Sequence, residues 1–137
     1  MRANIGLGVT IAGFLIFLLG ADPASVGLDR SPYIGFVQTA TFSMGLAILC
    51  LGGFLSFKAC QISDRIQSLA QDIGIRMVAT GYLISLISGM ADVFGFGTQS
   101  WPDLPFFGPS QAAGVIAGEM IIAIGFILYL PFFSKKA

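Results

Sequence analysis

The sequence predicts an all-α integral membrane protein: four transmembrane helices forming two tandem helical hairpins, a parallel internal repeat, with a short amphipathic cytoplasmic helix between them. Three observations predict it. Hydrophobic residues make up 55% of the 137 and charged residues 10%, against roughly 25% charged in soluble domains. Apolar runs long enough to cross a bilayer, about 20 residues each, recur four times. The second half of the chain also aligns with the first.

The first span is expected over about residues 3–21, which carry no charge. Arg2 followed by an apolar run also fits a secretory signal peptide. Leu18 and Leu19, however, stand where a cleavage site wants small residues, so the run is read as an uncleaved span. ADPASVGLDRSP, rich in Pro, Asp and Ser, breaks the chain, and an uncharged second span follows over about 34–57. In SDRIQSLAQDIGIR, Ile62, Ile66, Leu69 and Ile73 fall at steps of four, three and four. That spacing is an amphipathic helix, within a connector over about 58–74. The third span, about 75–96, contains Asp92, and the fourth, about 112–133, contains Glu119. GTQSWPDLPFFGP separates them, and Trp101, Phe106 and Phe107 there, with Tyr33 before the second span, suit the headgroup level. The chain is thus one domain of two hairpins, about 3–57 and 75–133.

Arg2, Lys58, Arg65, Arg76, Lys135 and Lys136 fall on one side of this arrangement and Arg30 alone on the other. Basic residues are retained inside. Both termini are therefore expected in the cytoplasm, matrix or stroma, with the protein in a bacterial or organellar inner membrane.

Residues 32–55 align with 105–128 at an offset of 73, with eight of 24 pairs identical, among them Gln38/Gln111, Gly45/Gly118 and Gly52/Gly125. Apolar bias would supply on the order of one in ten. The preceding spans align at an offset of 70 through Thr10/Thr80, Ala21/Ala91, Asp22/Asp92 and Gly27/Gly97. Gln38, Gly45 and Gly52 are seven apart, as are Gln111, Gly118 and Gly125, so each set keeps to nearly one helix face. In the third span Gly81, Ser85, Ser88 and Asp92 share a face. Small residues let helices approach where lipid supplies no hydrophobic drive, so these stripes read first as packing seams.

Glu119 and Asp92 are the chemical candidates, with Gln111, Ser88 and Ser85 as polar neighbours. Glu119 lies 16 residues before Lys135 and Asp92 16 after Arg76. Counted from those basic markers, both stand roughly 24 Å from the inner edge, level with each other. An ionised acid facing lipid costs a few kcal/mol; two together would share a proton or hold a cation. The competing reading is an acid that fixes one helix against a neighbour.

The chain lacks histidine, the commonest ligand for zinc or copper. Cys50 and Cys60, ten residues apart on one helix, stand about 15 Å from each other, too far for a disulfide. No basic cluster points to nucleic acid. No nucleophile–base pair is legible, and the loops are too short for a catalytic domain. The expectation is a non-catalytic subunit or assembly partner of a larger energy-converting or transport complex, in contact with lipid and with other membrane subunits or copies of itself. The alternatives are a small oligomeric ion- or proton-coupled transporter using the intramembrane carboxylates, and a protein binding quinone or lipid. No cofactor or metal is expected; a bound lipid, quinone or pigment is the alternative.

Residues 118–128, GEMIIAIGFIL, resemble the last helix of rotary-ATPase proteolipid subunits, whose duplicated members keep a working carboxylate in the fourth helix. The likeness covers Glu119, Gly125 and about a dozen residues. Spans one and three lack that family's dense glycine pattern and the basic residues imply the opposite orientation, so the likeness does not amount to membership.

Overall fold

A computed structural model describes residues 2–27, 35–60, 69–96 and 107–130. Among these the chain is all helical, with no strand: α1 Arg2–Ala21, α2 Phe36–Cys60, α3 Leu69–Gly89 and α4 Pro109–Tyr129. Three of them, α1, α2 and α4, are long and apolar enough to cross a membrane. In α3, Gln71, Asp72 and Arg76 occupy the first two turns and lower its hydropathy. Of the proposed amphipathic helix, residues 63–68 lie outside the described residues; the rest, from Leu69, is the start of α3.

Local chemistry sets the helix ends. After α1, Asp22 caps a 3-10 turn, Pro23–Val26: its Oδ1 accepts from the Ser25 N–H at 3.4 Å and its carbonyl accepts from Ser25 Oγ at 2.8 Å. Gly27, at φ 71°, closes the turn in a region that L side chains avoid. At α4, Pro109 sits in the first turn, where its missing N–H costs nothing, and Gln111 Oε1 accepts from the Gly108 N–H at 3.1 Å. Leu130 leaves the helix in extended conformation, as a residue before proline tends to.

The end of α3 differs from the sequence expectation. The helix stops at Gly89, and Met90–Gly95 continue as turns. The Phe96 N–H reaches the Ala91 carbonyl at 2.9 Å and the Gly95 N–H that of Asp92 at 3.3 Å. With Gly95 at φ 78° this is a Schellman closure. Asp92 therefore sits in the closing turn, past the helix proper.

The burial pattern inverts that of a soluble bundle. Glycines occupy the buried positions of α1, namely Gly6, Gly13 and Gly20. Large side chains such as Leu7, Ile11, Val37, Met44 and Met120 stand outward, each more than half exposed. In lipid such a surface carries no penalty, and close backbone packing replaces the hydrophobic drive.

α1 packs along α2, and α3 along α4. In the first pair Gly6 lies against Ser56, Gly13 against Leu49 and Gly20 against Phe42; from the other side Gly45 meets Phe17 and Gly52 meets Thr10. In the second, Gly74 lies against Gly125 and Tyr129, Gly81 against Gly118 and Ile122, and Gly118 against Ser85. The hairpins touch each other lightly, α2 meeting α3 and α4. Leu46, Cys50 and Ile122 form that small core, with Phe126 and Tyr82 beside them, and Phe57 stacks obliquely on Phe126 at 5.9 Å. The start of α2, the end of α3 and the start of α4 lie at one end of the molecule, since Gly35, Gly89, Asp92 and Gln111 line one small cavity there.

Candidate functional site

The polar candidates occupy the turn end and middle of the second hairpin, and the structure gives them different surroundings. Ser85 is 1% exposed, and its Oγ donates to the Val115 carbonyl of α4 at 3.0 Å. Other hydroxyls fold back on their own helices, as Thr10 does to Gly6 and Thr41 to Val37. Ser85 instead ties α3 to α4. Ser88 faces Gly114. Gln111 is buried and holds the first turn of α4 through Gly108. Gly81, Gly118 and Gly125 lie in the α3–α4 seam, and Gly45 and Gly52 in the α1–α2 seam.

Glu119 and Asp92 are not level. The seam sets Ser85 against Gly118, so Glu119 stands beside the middle of α3. Asp92 lines an adjoining cavity of about 20 Å³ with Gly35, Gln111, Thr39 and Phe107, the last two also bordering the Glu119 cavity. Gln111 precedes Glu119 by eight residues, a rise of about 12 Å. The paired-carboxylate site expected from sequence is thereby removed. Counting from basic residues misplaced the acids because charge position does not fix the register in which two helices pack. Asp92 Oδ1 is buried without a hydrogen-bond partner among the described residues.

Glu119 lines a larger cavity, about 240 Å³, where α1, α2 and α4 meet between the hairpins. Gln38 and Thr39 supply its other polar side chains, and Phe42, Phe107 and Ile116 are part of its apolar wall. Thr39 Oγ1 donates to the Gly35 carbonyl at 3.3 Å. Among the described residues the Glu119 carboxyl has no hydrogen-bond or ion-pair partner. A second cavity, about 310 Å³, lies nearer the opposite end between α2, α3 and α4, and its wall is almost wholly apolar, with Cys50, Phe54, Tyr82 and Tyr129. Cys50 is a free thiol. Among the described residues no three metal-ligating side chains converge.

Sequence reasoning passed over two groups. Gly6, Gly13 and Gly20 form a seam of their own in α1, and their seven-residue spacing was the signal that could have found them. Phe42 and Phe107 join Glu119 at the cavity, and no sequence signal brings them there.

Compared with known protein families, curated proteins and solved structures, the chain matches none.

Proposed function

We propose that this chain is a small, non-catalytic integral-membrane subunit or assembly partner of a larger membrane complex, of the energy-converting or transport kind, built by doubling one hairpin. The observation that carries it is where the polar side chains are spent. Ser85 and Gln111, two of the five polar candidates, hold α3 to α4 and close α4. Meanwhile the outward faces of α1, α2 and α4 are mostly apolar, as is that of α3 beyond its exposed Asp72–Arg76 pair, and the two hairpins meet only lightly. Such a surface suits neighbouring helices of other subunits.

The packing register supports the duplication. Thr10 meets Gly52 as Val78 meets Gly125, Phe17 meets Gly45 as Ser85 meets Gly118, and Gly13 meets Leu49 as Gly81 meets Ile122. These pairs correspond at offsets of 68 in the first helix and 73 in the second. The offset of 68 replaces the 70 read from sequence. Over 4–21 and 72–89 it makes six of 18 pairs identical, including Gly6/Gly74, Gly13/Gly81, Leu15/Leu83 and Ile16/Ile84. On this reading α3 completes a fourth span, the hairpins are parallel about an axis along the membrane normal, and the basic residues keep both termini inside.

Extraction in a mild maltoside detergent tests the proposal: the chain should coelute with larger polypeptides in stoichiometric amount. A clean homo-oligomer would sink it.

One observation favours a second reading, an ion- or proton-coupled transporter. An acid without a partner lines a cavity between hairpins, and intramembrane acids mark ion paths. Glu119→Gln should then abolish flux in reconstituted vesicles while leaving assembly intact; unchanged flux removes this reading.

A further inference from the structure

The cavity at Glu119 has a chemistry that neither reading uses. Its polar side chains are mainly acceptors. An ionised carboxylate only accepts; the Thr39 hydroxyl donates its hydrogen bond to the Gly35 carbonyl and presents lone pairs; Gln38 offers one carbonyl and one amide group. No basic side chain is among its described lining residues, so an entering cation would be the counter-charge of an ionised Glu119. The rest of the wall is apolar and includes two phenylalanines, Phe42 and Phe107. Carboxylate plus aromatic rings is the combination that favours a weakly hydrated organic cation, through charge and through the negative face of the ring. An anion or an acceptor-only ligand would be repelled or left unpaired. The volume, about 240 Å³, falls below the roughly 300–1,000 Å³ of drug-sized sites, so it admits a headgroup-sized ligand. The carboxylate is not repeated in the first hairpin. Leu46 takes the place of Glu119 there and is 5% exposed in the small core.

From these features we infer that the junction of α1, α2 and α4 binds a substituted ammonium group, with Glu119 as counter-charge, Phe42 and Phe107 as aromatic wall and Gln38 and Thr39 as flanking acceptors. The group comes either as a free organic amine or as the head of a zwitterionic lipid. The site stands whether or not the chain works inside a larger complex.

The test uses the full chain in maltoside micelles, which contain no ammonium group. Binding of benzyltrimethylammonium is followed by saturation-transfer NMR on its methyl signal. Saturable binding is expected, undiminished by the neutral analogue benzyl alcohol. Glu119→Gln should weaken it roughly tenfold or more, and Phe42→Leu by a smaller factor. Asp72→Asn, at the far end of α3 and exposed beside Arg76, should leave it unchanged. Far-UV circular dichroism and gel filtration check that each variant keeps its helicity and size. Adding phosphatidylcholine or phosphatidylglycerol separates the sources: displacement by the choline lipid alone identifies a lipid head, and displacement by neither identifies a free amine. No saturable binding to the wild type, equal affinity in Glu119→Gln, or equal displacement by the neutral analogue would each overturn the inference.

Discussion

Gly81 lies where α3 crosses α4, and replacing it with alanine measures how much stability the glycine seam carries. A Cβ there would lie 2.6 Å from the Gly118 carbonyl oxygen and 2.9 Å from both the Ile122 N and its Cγ1. Ordinary contact begins at 3.4 Å, so the two backbones must part by about 0.8 Å. The nearest obstacle is backbone, so a rotamer change cannot relieve it. A gap of that size forfeits roughly a quarter to a half of each dispersion contact along the seam, and overpacking of this kind costs about 1–3 kcal/mol. Gly81→Ala should therefore shift the unfolding equilibrium by about five-fold to 150-fold. Gly8 is the matched control, because an added Cβ there meets nothing within 4 Å. Gly8→Ala should be neutral or stabilise by about 0.5–1 kcal/mol, since it removes glycine's conformational cost. The assay is reversible unfolding by sodium dodecyl sulfate in maltoside micelles, followed by far-UV circular dichroism. Equal stability of Gly81→Ala and wild type, or equal loss in Gly8→Ala, would refute the close-packed seam.

Four further outcomes follow from single contacts. Ser85→Ala removes the bond to the Val115 carbonyl and should cost about 0.5–1.5 kcal/mol in the same assay; no loss would mean that the bond does not tie the hairpin. Gln111→Ala removes the acceptor for the Gly108 N–H. It should lower stability by about 1 kcal/mol and speed hydrogen exchange in the first turn of α4 while leaving its centre protected. Tyr129→Phe deletes a buried hydroxyl with no hydrogen-bond partner among the described residues, so stability should stay level or rise slightly. Arg76→Ala breaks an exposed pair with Asp72 at 3.0 Å and should cost less than about 0.5 kcal/mol, an effect that 1 M salt erases.

How much of this was legible varies from element to element. Hydropathy and length located α1, α2 and α4 to within a few residues, because a bilayer demands long apolar runs and little else satisfies that demand. Gly45, Gly52, Gly118 and Gly125 stood out by their seven-residue spacing, and each lies in a seam. The candidate site was less legible. Glu119 was visible as an acid in an apolar run, but its companions Gln38, Phe42 and Phe107 come from α2 and the approach to α4. Their meeting depends on how two loosely joined hairpins settle. The supposed partnership with Asp92 failed for a related reason, since charge position reports the membrane edge and not the crossing register.

By itself the sequence determined the composition-driven features: helices rather than strands, spans of bilayer length, and glycine rows at which backbones can approach. These follow from local rules, because in lipid every backbone polar group must be satisfied within its own helix. The tertiary structure alone decided which residues face each other. It placed Ser85 on Val115, Asp92 beside Gln111 and Glu119 in a cavity with two phenylalanines. Helix-to-helix register is set by the fit of glycine gaps against particular neighbours along the whole seam, and no window of sequence contains that sum.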